Sequence, residues 1–281
     1  MNYRHAFHAG NFADVLKHAV LLALLESLKA KPSAFCFIDT HAGAGRYDLK
    51  SVEARKTNEA DEGIAKLAVA AGLPPPLWNL LTQVRGVNDG GDVRYYPGSP
   101  LLAQRVLREQ DSAQFCELQA DEAEKLRQLM HGDKRMHVHQ RDGYEALKAL
   151  TPPAEKRGLV LIDAPFESRE EEFRHIEYAM RHAMQRWPTG MYAVWYPIKQ
   201  RSQVQPFLRW ASRAARRVLL VELLLHPDNS PLRLNGNGLV IFNAPWKFDE
   251  VLRDSLQVLA RTLGPQGTEY RLSWLAQEND A

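Results

Sequence analysis

Four short turns that carry acidic residues or glycines follow apolar, strand-like segments of this 281-residue chain. They are residues 39–45 (DTHAGAG), Glu117, Asp142 with Gly143, and residues 163–166 (DAPF). In open α/β sheets, ligands bind beyond the carboxyl ends of the strands, near the point where the strand order reverses. The residues that directly follow each strand are therefore the candidate site.

The glycine turn and Glu117 have the residue types of a nucleotide site. Glycines let the backbone approach a ligand closely, and an acid at the tip of the next strand can accept hydrogen bonds from both hydroxyls of a ribose. The dinucleotide fingerprint needs a third glycine near Tyr47 or Asp48, which the chain lacks. An insertion at 46–96 explains why Glu117 follows the turn by more than the usual ~20 residues. A turn without a ligand and a solvated glutamate remain the alternatives.

Two later acids point to an adenine amine. Asp142 can accept a hydrogen bond from such an amine, and it is also a good N-cap for a helix at 143–150. In residues 163–166, Asp163 and an adjacent carbonyl can accept both amine hydrogens. Pro165 stiffens the turn, and Phe166 can stack on a flipped-out base.

Strands that alternate with helices predict a doubly wound, mostly parallel sheet in one domain, residues 1–281. The last two predicted strands, at 217–225 and 238–245, have no helix between them and indicate an antiparallel hairpin at the sheet edge. Residues 46–96 break the alternation, with a helix-like piece near 59–71, and indicate an inserted helical subdomain. Ser99 before Pro100 predicts an N-cap with proline at the first helical position.

The composition excludes several classes of protein. The content of apolar residues is 45% and of charged residues 25%, which is ordinary for a globular domain. The net charge is only +2, so a nucleic-acid surface has to be a local patch. Cys36 and Cys116 lie in apolar runs and are expected to be buried thiols. The polar N-terminus and the lack of an apolar run of ~18 residues predict a cytoplasmic protein that does not enter a membrane.

Two clusters of basic residues could bind phosphate. One lies at the start of the insertion, with Arg46, Lys50, Arg55 and Lys56, and the other has Arg209, Arg213 and Arg216 on one helix face. Both could also be solvated surface. The ten histidines do not complete a four-ligand set at recognisable spacing, so no metal is expected.

Several runs carry a resemblance to a known family. Residues 163–166 resemble the [D/N]-P-P-[Y/F] motif of methyltransferases that act on amino groups. Nearly the whole chain is similar to the bacterial 23S ribosomal RNA adenine-N6 methyltransferases of the J type. The most specific segments are YRHAFHAGN at 3–11, DVLKH at 14–18, DTHAGAGRY at 39–47, RYYPGSP at 94–100, LREQD at 107–111 and WYP at 195–197.

The resemblance implies a Rossmann-like class I methyltransferase fold with a small helical insertion, S-adenosylmethionine as cofactor and 23S ribosomal RNA as partner. It implies cofactor contacts for eight residues: His18, His41, Gly43, Ser99, Glu117, Asp142, Gly143 and Asp163. Asp163, Pro165 and Phe166 would form the catalytic motif. An N-terminal arm with its neighbouring lysine would contact RNA through Tyr3, Arg4, His5, His8 and Lys17. The family has a proline where this chain has Ala164.

Two other hypotheses remain open at this stage. One is a methyltransferase that acts on a different amine, such as a DNA adenine or a glutamine side chain. The other is a non-catalytic RNA-binding protein with the same fold.

Overall fold

The computed structural model describes residues 5–89, 91–227, 230–231 and 234–277. Its strands are β1 (Cys36–Asp39), β2 (Arg46–Asp48), β3 (Tyr95–Pro97), β4 (Ser112–Glu117), β5 (Met136–Gln140), β6 (Gly158–Ile162), β7 (Met191–Ile198), β8 (Val218–Leu224), β9 (Gly236–Phe242) and β10 (Glu269–Ala276). Its α-helices are α1 (Phe12–Lys29), α2 (Val52–Thr57), α3 (Ile64–Ala68), α4 (Pro75–Gly86), α5 (Ser99–Val106), α6 (Ala120–Met130), α7 (Gly143–Leu150), α8 (Arg169–Arg186), α9 (Arg201–Ala214) and α10 (Phe248–Leu263). Short 3-10 helices span His5–Phe7 and Glu59–Glu62.

Eight strands form one sheet in the order β10-β8-β9-β7-β6-β1-β4-β5. The pairs among β5, β4, β1, β6 and β7 are parallel. The pairs of β9 with β7 and β8, and of β10 with β8, are antiparallel. The predicted doubly wound, mostly parallel sheet with an antiparallel edge is therefore confirmed. The outermost strand is β10, which follows α10, and neither element was expected from the sequence.

Helices cover both faces of the sheet, and the alternating residues of β1 show this division. Phe37 packs into the core shared with α1, α4, α5 and α10, whereas Cys36 and Ile38 pack into the core shared with α8 and α9. Strands that are covered on both faces are apolar throughout, as in β6, whose five residues are all buried. Both cysteines are buried thiols.

Helix α1 is the central element of one face. Asn11 caps its N-terminus by accepting a hydrogen bond from the Asp14 amide at 2.9 Å. Most of its circumference is buried, including Lys17 and His18, because it lies between the sheet and the helices α4, α5 and α10. A helix that is apolar nearly all round is typical of such an interior position.

The segment between β1 and α5 contains the two-stranded ribbon β2–β3 and the helices α2, α3 and α4. The helix expected near 59–71 is instead the short 3-10 helix followed by the five-residue α3. Gly63 separates them, because its φ of −118° and ψ of −103° are not helical. That residues 46–96 form a subdomain of their own stays a prediction. Within the described residues, no helix is both long and apolar enough to cross a membrane.

Candidate active site

A cavity of about 630 Å³ opens at the carboxyl ends of β1, β4, β5 and β6. Eleven of the residues singled out from the sequence line it: His5, Lys17, His18, His41, Gly43, Ser99, Glu117, Asp142, Gly143, Asp163 and Pro165. The parallel strands bring these residues together because their carboxyl ends lie at one edge of the sheet. The four turns thus surround one site, as expected.

Two other predicted residues that the structure describes lie outside the cavity, and one of these is Phe166. It adopts the left-handed conformation at φ 49°, which is uncommon for a residue with a side chain. Its ring is buried and packs edge-to-face on Phe173 at 5.1 Å and on Trp195 at 6.0 Å. In this conformation Phe166 does not line the cavity, so the predicted stacking face is covered. His8 hydrogen-bonds Glu59 outside the cavity, and Tyr3 and Arg4 lie outside the described residues.

The glycine turn and Glu117 are joined by hydrogen bonds. The Gly43 amide donates to Glu117 Oε2 at 2.8 Å, and the Gln119 amide donates to Oε1 at 2.7 Å. Gly43 has φ 62°, and a Cβ on it would lie 2.2 Å from the Tyr47 hydroxyl, so only glycine fits. Burial raises the pKa of Glu117, and these backbone amides offset part of that rise. The carboxylate is thus held at the tip of β4, beside a backbone that a ligand can approach.

Asp39 and Ser99 form a buried pair beneath the cavity. Ser99 Oγ donates to Asp39 Oδ2 at 2.6 Å, and the Asp39 side chain is fully buried. Burial raises the pKa of Asp39 to about 7, with the nearby Asp163 charge adding to the rise. The prediction that Ser99 is an N-cap is wrong. Gly98 occupies that position, and Ser99 and Pro100 are the first helical residues.

We expect Asp39 to make the stability of the ligand-free protein fall as the pH rises. The pKa of Asp39 is about 7 in the folded protein, against an ordinary value of 3.8. As the pH rises, the unfolded chain therefore loses this proton before the folded protein does, and the free energy of unfolding falls between about pH 4 and 7. Asp39→Asn should therefore raise Tm at pH 8, by at least about 3 °C, and by less at pH 5. Thermal unfolding of both proteins at the two pH values measures this. A larger gain at pH 5 than at pH 8 would contradict the assignment.

Two histidines of the site, the buried His18 and the half-buried His41, are neutral at physiological pH. Burial lowers the pKa of His41 to about 4 and that of His18 to about 3. His18 Nδ1 shares a hydrogen bond of 2.8 Å with the Tyr96 hydroxyl, and His41 Nδ1 shares one of 2.8 Å with Thr40 Oγ1. Both rings therefore serve as neutral hydrogen-bonding groups. The described residues contain no group of three His, Cys, Asp or Glu side chains that could hold a metal ion.

A chain of charged groups leads from the N-terminal segment to Asp163. His5 Nε2 lies 2.9 Å from Asp14 Oδ2, and Asp14 Oδ1 lies 2.8 Å from Lys17 Nζ. Lys17 Nζ in turn donates to Asp163 Oδ2 at 2.5 Å. Burial by itself would lower the pKa of Lys17. The negative charges of Asp14 and Asp163 have the larger combined effect, and the pKa of Lys17 is raised. Lys17 is thus a buried ammonium that holds one oxygen of Asp163.

A family model described as "Ribosomal RNA large subunit methyltransferase D, RlmJ" matches residues 32–276 of the chain. The chain belongs to the RlmJ family. Ribosomal RNA large subunit methyltransferase J of Escherichia coli K12 is 40% identical over 280 residues, and the alignment covers 99% of this chain and 100% of that protein. The Haemophilus influenzae protein of the same name is 39% identical over 281 residues, with 99% and 100% covered.

The RlmJ fold has also been solved for a related chain. A crystal structure of a protein from Legionella pneumophila superposes with a TM-score of 0.87 at 36% sequence identity, covering 95% of this chain and 98% of that one. Family membership confirms the resemblance that the sequence motifs carry. The family match covers the strands and turns that form the cavity, because the matched range runs from before β1 to the end of β10.

Some lining residues of this RlmJ-family site were missed by sequence reasoning. Leu118 follows Glu117 and is 66% exposed at the cavity, and Tyr144 and Tyr47 also line it. Leu118 could have been found, since an apolar residue directly after a strand-end acid is adjacent to any ligand the acid holds. Nothing in the pattern distinguishes Tyr47 and Tyr144 from core aromatics.

Gly143 lies where the turn after β5 contacts the turn after β1, and a substitution there tests whether the site needs this close contact. Gly143 begins α7, whose N-cap Asp142 accepts a hydrogen bond from the Glu145 amide at 3.0 Å. A Cβ on Gly143 would lie 2.0 Å from the Thr40 carbonyl oxygen, so Gly143→Ala must push β1 and α7 apart. We expect it to destabilise the fold by about 1–3 kcal/mol and to weaken S-adenosylmethionine binding at least about tenfold.

Gly91→Ala is the matched control for this change. Among the residues that the structure describes, a Cβ there would meet only the Asn88 carbonyl oxygen, at an ordinary 3.6 Å. Thermal unfolding and calorimetric titration with S-adenosylmethionine measure both effects. Equal behaviour of the two alanine variants would show that the turns do not need this close approach.

Proposed function

We propose that this protein transfers a methyl group from S-adenosylmethionine to N6 of an adenine in 23S ribosomal RNA. The observation that carries the proposal is the hydrogen bonding of the Asp163 carboxylate. Asp163 directly follows β6 and lines the cavity. Lys17 holds its Oδ2, and no hydrogen bond from the described residues engages its Oδ1. That oxygen can accept a hydrogen from an amine inside the cavity. Membership of the RlmJ family supports the same reaction.

The residues present suit S-adenosylmethionine. The cofactor is positively charged, and the carboxylates of Glu117, Glu122 and Asp142 line the cavity. Glu117 stands where it can accept hydrogen bonds from ribose hydroxyls, next to the exposed apolar Leu118, which offers a surface for a purine ring. The volume of about 630 Å³ falls within the range of ligand pockets. When bound, this cofactor supplies an electrophilic methyl group on a sulfonium, which is a leaving group that needs no acid.

The protein's part in the reaction is to hold the amine. The lone pair of an adenine amine is delocalised into the ring, and acceptors that favour a tetrahedral nitrogen make it available. Asp163 Oδ1 would accept one amine hydrogen, and the backbone carbonyl of Ala164 would accept the other. Lys17 fixes the carboxylate because it binds Oδ2 at 2.5 Å and is itself held by Asp14. Positioned acceptors of this kind act without a metal.

An adenine can reach this site only if it leaves its base stack. Pro165 is exposed at the cavity and could contact the base. Stacking on Phe166 would require its ring to leave the contacts with Phe173 and Trp195. His5 lines the cavity at the end of the N-terminal segment, which is consistent with an arm beside the bound base. Because the substrate is ribosomal RNA, we expect the protein to act in the cytoplasm.

The proposal is tested by offering three substrates in parallel. The protein is incubated with methyl-labelled S-adenosylmethionine and either a 23S rRNA hairpin, the DNA of the same sequence, or a bacterial protein extract. We expect label in the RNA, and N6-methyladenosine after digestion and mass analysis. Label only in DNA or protein, or at another RNA position, would overturn the proposal.

A further inference from the structure

The entrance to the cavity has a surface with an excess of basic side chains on one side. Residues 46–57 carry four basic and two acidic side chains, although the whole chain has a net charge of only +2. The basic side chains of this segment and of Arg94 are all exposed. We call this the ribbon–α2 surface, and its members are Arg46, Lys50, Arg55, Lys56 and Arg94.

The ribbon β2–β3 has one face toward the cavity and one toward solvent. Side chains alternate along a strand, so the buried Tyr47 lines the cavity while Arg46 is exposed on the other face. On that outer face the guanidinium carbons of Arg46 and Arg94 each lie 5.0 Å from the centre of the Tyr95 ring. The stacking, together with the ion pair between Arg94 Nη2 and Asp48 Oδ2 at 2.9 Å, holds two planar guanidinium groups in place on the solvent-facing side of the ribbon.

The surface continues across α2 to the N-terminal segment. Lys56 Nζ lies 5.9 Å from the centre of the Phe7 ring, and Thr57 Oγ1 donates a hydrogen bond to the Phe7 carbonyl. Two residues earlier, His5 lines the cavity and lies 4.8 Å from Tyr47, measured between ring centres. Basic residues thus occur on the ribbon and also on α2, where Lys56 contacts the segment beside the cavity.

The opposite side of the entrance is acidic. Glu170, Glu171 and Glu172 form the first turn of α8, and Glu172 lines the cavity. A polyanion that approached over this side would meet three carboxylates. The two sides of the entrance therefore differ in charge, and this difference gives a bound polyanion a direction of approach.

The second basic cluster, on α9, lies toward the amino ends of the strands, whereas the cavity is at their carboxyl ends. Helix α9 leaves the carboxyl end of β7 and leads to the start of β8, which runs in the same direction as β7 because both are antiparallel to β9. Arg209 and Arg213 are in the last turns of this 14-residue helix, near the amino ends of the strands. Arg209 and Arg213 lie about 12 Å and about 18 Å along the helix axis from its first residue, which is at the edge with the cavity.

We infer that the ribbon–α2 surface binds the phosphate backbone of the RNA that flanks the target adenine. This inference rests on the proposed function, since it takes RNA as the substrate. Arginine donors in a fixed plane suit phosphate oxygens, and contacts of this kind position a nucleic acid without reading its sequence. The RNA would lie over the ribbon and α2, with its target base turned toward Asp163 and away from the acidic turn of α8.

The test compares two variants that each remove two exposed positive charges. Arg46→Gln/Arg55→Gln changes the ribbon–α2 surface, and Arg209→Gln/Arg213→Gln changes α9. Binding of a fluorescein-labelled RNA hairpin is measured by anisotropy across salt concentrations. We expect the first variant to bind roughly 10- to 30-fold more weakly in about 0.1 M salt and to lower the slope of log K against log salt by about 2. The α9 variant should match the unchanged protein.

Two further measurements and one charge-restoring variant serve as controls. S-adenosylmethionine affinity and Tm should be the same in all proteins, and Arg46→Lys/Arg55→Lys should recover most of the salt slope, because it restores the charges. Equal RNA binding by both glutamine variants, or a loss confined to the α9 variant, would overturn the inference. An unchanged protein that methylates no RNA would instead refute the proposed function, while the binding comparison would still decide where RNA is held.

Discussion

Asp163→Asn should reduce methyl transfer by about 10²–10³-fold or more while cofactor binding is largely kept. Asparagine keeps the shape of the side chain but has one acceptor and one donor group. Lys17 donates to the Oδ2 position at 2.5 Å, so the amide oxygen should turn toward Lys17. The amide NH₂ would then face the cavity, where the substrate amine also offers hydrogens. Two donors would oppose each other at the point where an acceptor is needed.

This result is measured as single-turnover methylation of an RNA hairpin at saturating S-adenosylmethionine. Calorimetric titration of the cofactor and thermal unfolding serve as controls, since the remaining Lys17–Asp14 ion pair at 2.8 Å should keep the buried ammonium paired. Activity of Asp163→Asn within tenfold of the unchanged protein would show that Asp163 is not the acceptor.

Glu117→Gln should weaken S-adenosylmethionine binding by about 10- to 150-fold, because each hydrogen bond to a charged group contributes roughly 1.5–3 kcal/mol. The effect should fall on the cofactor KM, because Glu117 is not next to Asp163. Glu117 is at the tip of β4 and Asp163 follows β6, and β1 lies between these two strands. Burial raises the pKa of Glu117, so cofactor affinity should also decline on acidification at a higher pH than for an ordinary glutamate. The glutamine variant should lack that pH dependence.

Glu124→Gln is the matched control for Glu117→Gln. Glu124 lies on α6, the next helix, with 57% of its side chain exposed, and pairs only with neighbours on that helix among the described residues. Its replacement should leave cofactor affinity unchanged at every pH. If Glu117→Gln binds the cofactor as tightly as the unchanged protein does, Glu117 is not part of the cofactor site.

The positions of the candidate site follow directly from the sequence. Apolar strand segments that alternate with helices specify a mostly parallel sheet, and a parallel sheet brings the ends of its strands to one edge. The turns that contain Gly43, Glu117, Asp142 and Asp163 could therefore be assigned to one site without coordinates. The motifs also carried the family resemblance, which the RlmJ family match confirms over residues 32–276.

The elements at the C-terminal end show where pattern alone was insufficient. Helix α10 and strand β10 were missed, although β10 forms the outer edge of the sheet. All the described residues of β10 are at least partly exposed, so it lacks the apolar run that marks a buried strand. Its position depends on pairing with β8, which is a non-local interaction.

The contacts that control the chemistry were decided only by tertiary structure. Lys17 and Asp163 are separated by 146 positions in sequence, and their ion pair exists because α1 packs against the sheet beside β6. A lysine within an apolar helix is ordinarily taken as exposed, whereas here its charge is buried between two carboxylates. The position of Phe166 depends in the same way on packing against Phe173 and Trp195. Sequence determined which residue types stand at the strand ends, because backbone periodicity is local. Folding determined their partners, burial and charge states, because those depend on neighbours that are distant in the chain.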